Sequence, residues 1–316
     1  MIKVLIVCRY KNNFATHIMP FITEQGEDIA KLGIDVSYFT IKGSYIKNIF
    51  ILKQKIKECQ PDIIHAHYGL SGAIAVLQRK VPVVVTFHNG ETLTKRGNII
   101  SSFFSLFAKY RIYVAQHIHY LCYFKRKTNY TILPCGVDTD IEIFNKNTAR
   151  EELGLRNDKK YILFGGAFSN LRKNYPLLKQ ALELLNRDDI EVIEMSGLSR
   201  NEITKLMCAC DLFALPTKSE GSPQALKEAM ICNCPIVATD VADIKYLSGN
   251  LEGHYICSFA PEDVADKIAK ALAFPNRTKG RERIIELGLD SKMVAEKILE
   301  IYNKIKRAGG KQPVQK

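Results

Sequence analysis

Short runs of aliphatic and β-branched residues alternate along the chain with longer stretches whose apolar positions recur every three or four residues. In the first half "KVLIV" (3–7), "DVSYF" (35–39), "DIIHA" (62–66), "PVVVTF" (82–87) and "YTILP" (130–134) read as strands, with helices between them. The pattern then restarts with "YILFG" (161–165), "IEVIEM" (190–195), "DLFALP" (211–216) and "PIVAT" (235–239). Apolar strands separated by helices predict parallel sheets covered on both faces, here two doubly wound α/β units. The polar stretch "DTDIEIFNKNTAREELGLRNDKK" puts the boundary between Val137 and Asp158, giving domains 1–145 and 146–316. A last helix, about 291–306, carries Val294, Ile298, Ile301 and Ile305 on one face and can pack on either domain, including back on the first.

Length agrees with that division, since 316 residues exceed what one core usually organises, and two domains of roughly 150 are expected. Hydrophobic content of 47% and charged content of 25% are those of a folded globular chain. No run approaches the roughly 20 apolar residues of a membrane span, and the start "MIKVLIVCRYKN" reads as a strand rather than a signal peptide. The nine cysteines are scattered, with only C-x-C pairs at 208/210 and 232/234, which is not zinc-site spacing. Buried reduced thiols and a cytoplasmic chain are therefore expected.

The formal net charge of +12 asks for an anionic partner, and its distribution is uneven. From Thr92 to Val137 there is no acid, while Lys95, Arg96, Lys109, Arg111, Lys125, Arg126 and Lys127 alternate with Phe103, Phe104, Phe107, Tyr110, Tyr113, Tyr123 and Phe124. A second acid-free segment, "IKGSYIKNIFILKQKIK", spans 41–57. Two readings stand open. The segments dock on an anionic membrane, making the protein peripheral on the inner face of the cell membrane, or they form ordinary helices with rings inward and lysines outward.

Within the second half, "EGSPQALKEAM" (220–230) follows a strand directly, which places Glu220 in a strand-to-helix loop at the carboxyl edge of the sheet. Gly221 permits close approach, Ser222 is suited to cap the next helix, and Pro223 suits its first turn. Glu228 then lies about 8 Å along that helix. A helix start favours phosphate, and carboxylates accept from hydroxyls, so the implied ligand carries diphosphate flanked by hydroxyl-rich groups, as a nucleoside diphosphate sugar does.

The stretch "PTKSEGSPQALKEAMICNCPIVATD" resembles the E-x7-E element of the retaining glycosyltransferases of family 4, which have the GT-B fold of two Rossmann-like domains facing across a cleft. "PDIIHAHYGLSG", "VVVTFHNGE", "ILPCGVDTD" and "ILFGGAFSNLRKN" continue the likeness in family order. The resemblance implies an acceptor-binding first domain and a nucleotide-sugar-binding second domain. It implies that Glu220 contacts donor sugar hydroxyls and Glu228 the ribose, and that Lys173, with Arg172, grips the diphosphate after Gly166. Gly221, Ser222 and Pro223 complete the donor site, and His88 stands near the reacting carbon. His65 and His67 read mainly as loop-ordering, with His67 at the acceptor side.

Two departures from the family pattern stand out. Ala167 occupies a place that commonly holds Arg, and the loop after the first strand, "CRYKNNFATHIMPF", has no Gly, so Asn12 and Asn13 are expected to make its turn and line the acceptor side. The expectation is a metal-independent retaining transferase without cofactor. It would use a UDP- or GDP-sugar and a saccharide acceptor, lipid-linked, in surface polysaccharide or lipopolysaccharide synthesis. A non-catalytic sugar-nucleotide binder is the alternative. A nucleic-acid-binding protein lacks any recognised module, and an NAD dehydrogenase lacks G-x-G-x-x-G after either first strand.

Overall fold

The computed structural model describes residues 1–12 and 14–309. Two compact units emerge: residues 1–136 with 291 onward, and Val137–Asp290.

The first unit is a six-stranded parallel sheet in the order β2-β1-β3-β4-β5-β6. Its strands are β1 (Lys3–Arg9), β2 (Asp35–Ile41), β3 (Ile63–His67), β4 (Val83–Phe87), β5 (Tyr110–Tyr113) and β6 (Tyr130–Ile132). Helices α1 (Pro20–Lys31), α2 (Tyr45–Cys59), α3 (Gly69–Val76), α4 (Lys95–Phe104) and α5 (Gln116–Leu121) connect them. β3 and β4 are buried along their whole length, as strands covered on both faces should be. On one face Leu52 of α2, Ile74 of α3 and Phe104 of α4 share a core with Leu5, Ile64 and Val85.

β5 had no counterpart among the expected strands. Its second residue is Arg111, counted in the sequence among the cations of the acid-free segment but fully buried, so it adds nothing to that segment's surface charge. Its guanidinium donates to the carbonyls of Ser105 (3.1 Å) and Phe124 (2.8 Å), which satisfies part of a group that could not otherwise be buried.

The second unit is a five-stranded parallel sheet in the order β11-β10-β9-β7-β8. It comprises β7 (Lys160–Phe164), β8 (Ile190–Glu194), β9 (Leu212–Leu215), β10 (Ile236–Thr239) and β11 (His254–Cys257), the last also unforeseen. Helices α6 (Lys146–Glu152), α7 (Tyr175–Leu185), α8 (Arg200–Ala209), α9 (Gln224–Ile231), α10 (Ile244–Ser248), α11 (Pro261–Ala273) and α12 (Gly280–Glu286) surround it. Two cores, one on each face, meet this sheet.

The chain then returns to the first unit with α13 (Ser291–Gly309). Val294, Ile298, Ile301 and Ile305 are buried there with Tyr302, sharing a core with Ile22 and Ile29 of α1 and Val4 and Ile6 of β1. Thus α1 and α13 cover one face of the first sheet, and α2, α3 and α4 the other.

Candidate functional site

In doubly wound sheets the strand order reverses next to the first strand, and the loops leaving that point part to opposite faces and leave a crevice. In the second unit this point lies between β7 and β9, so the loops after these strands are neighbours.

The first of these loops begins with Gly165 and Gly166. A Cβ on Gly166 would fall 2.7 Å from Cγ of Lys173, so glycine is what allows the lysine stem to fold back across the loop. Asn170 shapes the turn, its carbonyl accepting from the Lys173 amide (2.9 Å) and its side-chain oxygen from the Arg172 amide (3.1 Å). The second loop is tied to the first: the Lys218 amide donates to the Arg172 carbonyl at 2.9 Å, and the Thr239 hydroxyl holds the Thr217 carbonyl at 2.6 Å.

These ties deliver Glu220 between two cations. Lys173 Nζ lies 2.8 Å from Oε1 and Arg172 Nη1 2.8 Å from Oε2, while the Thr217 hydroxyl donates to Oε1 at 3.0 Å. Arg172 also donates to the Ser219 carbonyl at 2.7 Å. Burial pushes the Glu220 carboxyl up, but Lys173 and Arg172 outweigh it and hold the group below the usual carboxylate range. The arrangement is a buried, ionised carboxylate with two cations for one negative charge. Such a site can receive a further anion at the cations and hydroxyls at the carboxylate. Ala167 leaves no cation at its own position, and Arg172 brings one from further along the loop.

The helix start after Glu220 differs from expectation. α9 begins at Gln224 with Pro223 itself at the cap position, in extended conformation and with no side-chain cap. Ser222 therefore caps nothing, and Pro223 precedes the first turn rather than lying in it. The Ser222 hydroxyl instead lies beside Asp243, in the loop after β10, where it works against the effect of burial. Burial raises the Asp243 carboxyl to about 6. Glu228 pairs with Arg200 at the start of α8.

The first unit assembles a different site at the ends of β3 and β4. Tyr68 (φ 71°) and Asn89 (φ 90°) take left-handed conformations there, a concentration of strain that marks functional strand ends. Glu91 bridges the two ends: Oε1 accepts from the Gly69 amide at 2.7 Å, and both oxygens lie 3.3 Å from the His88 amide. Burial raises its carboxyl to about 7, against the pull of these amides.

Three imidazoles line up from the core outward. His65 is fixed between the Tyr302 hydroxyl at Nδ1 (2.6 Å) and the Thr86 hydroxyl at Nε2 (2.7 Å). Its ring stacks on His67 at 4.6 Å, and His67 Nδ1 meets His88 Nε2 at 3.0 Å. His65 and His67 are wholly buried, whereas His88 is half-buried beside Tyr68 and Phe21. His67 Nε2 is buried with no partner among the described residues, so the ring's one hydrogen bond runs between its Nδ1 and His88 Nε2. The second nitrogen of His88, Nδ1, faces Cys135 Sγ at 3.9 Å. Burial lowers the His65 pKa to about 3 and, with the neighbouring imidazoles, holds His67 well below its ordinary value.

Asn12 is exposed and does not take the left-handed position of its loop. His17 does (φ 59°), because its ring stacks on Tyr10 at 4.4 Å and its carbonyl accepts from Lys11, which holds the loop closed. Asn13 lies outside the described residues. Glu91, Thr217 and Asp243 were missed by sequence reasoning. For Glu91 a signal existed, since it is the sole acid between Ile63 and Val137. All nine cysteines are free, and among the described residues no group of three His, Cys, Asp or Glu side chains could hold a metal ion.

Both halves of the chain resemble known proteins. The model for glycosyl transferases group 1 matches residues 154–273, and that for glycosyltransferase family 4 matches residues 36–141. The chain is 24% identical over 254 residues to TuaC of Bacillus subtilis, a glycosyltransferase named for teichuronic acid biosynthesis, covering 71% of this chain and 65% of that one. It is 26% identical over 156 residues to the N,N'-diacetylbacillosaminyl-diphospho-undecaprenol alpha-1,3-N-acetylgalactosaminyltransferase of Campylobacter jejuni, covering 48% and 39%. The solved structure of Anabaena Alr3699/HepE, in complex with UDP and glucose, superposes with a TM-score of 0.74 at 15% identity, covering 96% of this chain and 100% of that one. The chain thus spans about two thirds or less of these two curated relatives. With a parallel doubly wound sheet in each unit, a GT-B fold shared with solved glycosyltransferases, and family models matched in both halves, this chain belongs to the family 4, group 1 glycosyltransferases.

Proposed function

We propose that this protein transfers a glycosyl group from a UDP- or GDP-sugar to a saccharide acceptor with retention of configuration. The observation that carries the reading is Glu220 held between Lys173 and Arg172 at the reversal point of the second sheet. A nucleoside diphosphate sugar presents hydroxyls to such a carboxylate and phosphate oxygens to such cations. As the bond to the sugar breaks, negative charge grows on the leaving diphosphate. Cations already fixed in place stabilise it without reorganisation, so the reaction needs neither metal nor cofactor. Glu228 takes the ribose hydroxyls in this scheme, sharing them with Arg200.

The first unit supplies the acceptor side. His88, backed by His67, can hydrogen-bond a sugar hydroxyl. No side chain stands out as a nucleophile, so the acceptor attacks from the face the diphosphate leaves, and the departing diphosphate takes its proton. The B. subtilis and C. jejuni relatives support a lipid-linked acceptor and a surface polysaccharide product, and the UDP complex of the structural relative supports a UDP-sugar.

A thermal-shift screen of UDP- and GDP-sugars tests donor binding, followed by transfer assays with NMR of the product anomer. No shift with any nucleotide sugar would count against the whole scheme, and a shift without transfer to any saccharide would leave a binding protein.

A further inference from the structure

Exposed apolar side chains occur singly on most proteins, and only a contiguous patch carries meaning. In the first unit they gather in two places. On α2, Ile46 and Phe50 are 70% and 67% exposed, next to an exposed Ile51. Around α4, Phe103 is in ring contact with both Phe107 (5.9 Å) and Phe124 (5.5 Å), and Phe107 is 60% exposed. Asn98 of α4 receives the Tyr123 amide and donates to the Leu121 carbonyl, which lays the segment 121–124 alongside this patch.

Both patches lie on the same side of the sheet. α2 and α4 pack on either side of α3, and the three helices share one core, whereas α1 and α13 cover the opposite face. Two segments that are far apart in sequence, both acid-free and basic, thereby form one surface. Between Ile63 and Val137 the lone acid is Glu91, which is buried and turned inward onto backbone amides. The cations are outside: Lys42, Lys47, Lys53, Lys95, Lys109, Lys125 and Lys127 are exposed, and Lys53 Nζ sits 5.9 Å from the Phe50 ring centre. The alternative of rings inward and lysines outward is overturned for Phe50, Phe103 and Phe107.

We propose that the α2–α4 face of the first unit docks on an anionic lipid bilayer, with Ile46, Phe50, Phe103 and Phe107 entering the headgroup boundary and the surrounding lysines pairing with lipid phosphates. Charge selects this occupant. The exposed cations of this face outnumber its acid, Glu58 near the end of α2, so a two-fold contact with a second copy sets like charges against each other. Nucleic acid matches the cations and can stack on rings, but Ile46, Ile51 and Leu121 have no face on which a base stacks, whereas hydrocarbon accepts them. Among the described residues no helix is long and apolar enough to cross a membrane, so the docking is on the surface.

The test is sedimentation of the full chain with phosphatidylcholine vesicles, with or without about one third phosphatidylglycerol. The protein pellets with anionic vesicles, stays in solution with neutral ones, and is released by high salt. Phe50→Ser combined with Phe107→Ser weakens vesicle binding about tenfold or more, and Lys47→Glu combined with Lys53→Glu does so with all four apolar side chains left in place. Thermal shift by nucleotide sugars is retained in all these variants. The proposal is overturned if the native chain ignores anionic vesicles at low salt or if the variants bind as it does. It is equally overturned if the same substitutions abolish self-association or RNA binding while vesicle binding was never present. Loss of donor binding with vesicle binding intact would sink the transferase scheme and leave this face standing.

Discussion

At the strand ends of the second unit a carboxylate sits between a lysine and an arginine, whereas at the strand ends of the first three imidazoles stack inward and the one carboxylate is turned onto backbone amides. Both sites use buried titratable groups at a parallel sheet's carboxyl edge, but burial acts on them with different results. Around Glu220 the cations are close enough to keep the charge despite desolvation. Around His65 and His67, among the described residues, no carboxylate stands within hydrogen-bond reach, and burial keeps the two rings from taking up protons. In the proposed scheme the first of these sites meets the charge of the leaving diphosphate, and the other meets acceptor hydroxyls.

Breaking the charged site should produce the largest effect. Glu220→Gln or Lys173→Ala is expected to lower kcat about a thousandfold, the scale of losing one fixed electrostatic contact to a transition state. Thermal unfolding should still show a cooperative transition, since neither residue belongs to an apolar core. Full transfer activity in both variants would remove this site from the chemistry.

Gly166→Ala sharpens the point without touching a charge. The new Cβ would meet the Lys173 stem at 2.7 Å, so the ammonium must shift away from Glu220. A displacement near 1 Å is expected to reduce transfer about a hundredfold. The Glu220 carboxyl should then titrate nearer its ordinary range, which side-chain carboxyl NMR would detect. Native activity would mean that Lys173 reaches its place by another path.

Much of this was readable from the residues. The strand and helix alternation follows from apolar periodicity, and the strand-loop-helix setting of Glu220 follows from "DLFALP" and "EGSP". What escaped depended on tertiary partners. Arg111 hides β5 because its burial is satisfied by the carbonyls of Ser105 and Phe124, both in other segments. Ser222 looks like a cap from local spacing, yet the adjacent proline takes the cap position and leaves the hydroxyl by Asp243. In the first loop His17, stacked on Tyr10, takes a left-handed conformation and Asn12 does not, a contact between residues seven apart that local tolerance does not show. Exposure of Phe50 and Phe107 was undecidable, since an aromatic between lysines fits either face of a helix.

Acidification tests the comparison at the level of stability. In the unfolded chain His65 and His67 bind protons near pH 6.5, but in the folded chain His65 does so only near pH 3 and His67 only well below 6.5. Below pH 6.5 the unfolded state therefore holds more protons, and His65 alone should cost about 2 kcal/mol of stability at pH 5. Glu91 acts the other way, its penalty fading as pH falls from about 7 towards 4.5. In the second unit His254, lowered to about 4, and Asp243, raised to about 6, oppose each other in the same range. Glu220, with a lowered pKa, contributes stability that is lost only as pH falls below 4.5. Hydrogen exchange at pH 7 and pH 5 should show the first unit losing more protection than the second. Equal losses would mean that the imidazoles are protonated with little cost.

Glu91→Gln should give the smallest change. The Glu91 carboxyl is raised to about 7 because burial disfavours its charge, so near neutrality it is already partly protonated, and a neutral amide replaces a group close to itself. Glutamine can keep one oxygen towards the Gly69 and His88 amides, so stability should change by less than about 1 kcal/mol, and the pH response between 4.5 and 7 should lose its Glu91 component. Glu91→Ala differs in kind, because it strips those two amides of their acceptor and should destabilise by about 1–3 kcal/mol while loosening the His88 backbone. A rise in KM for acceptor with unchanged donor binding in the alanine variant, absent in the glutamine variant, is the expected pattern. If glutamine were as damaging as alanine, the charge on Glu91 would matter in itself, and the first site could no longer be described as the neutral one of the pair.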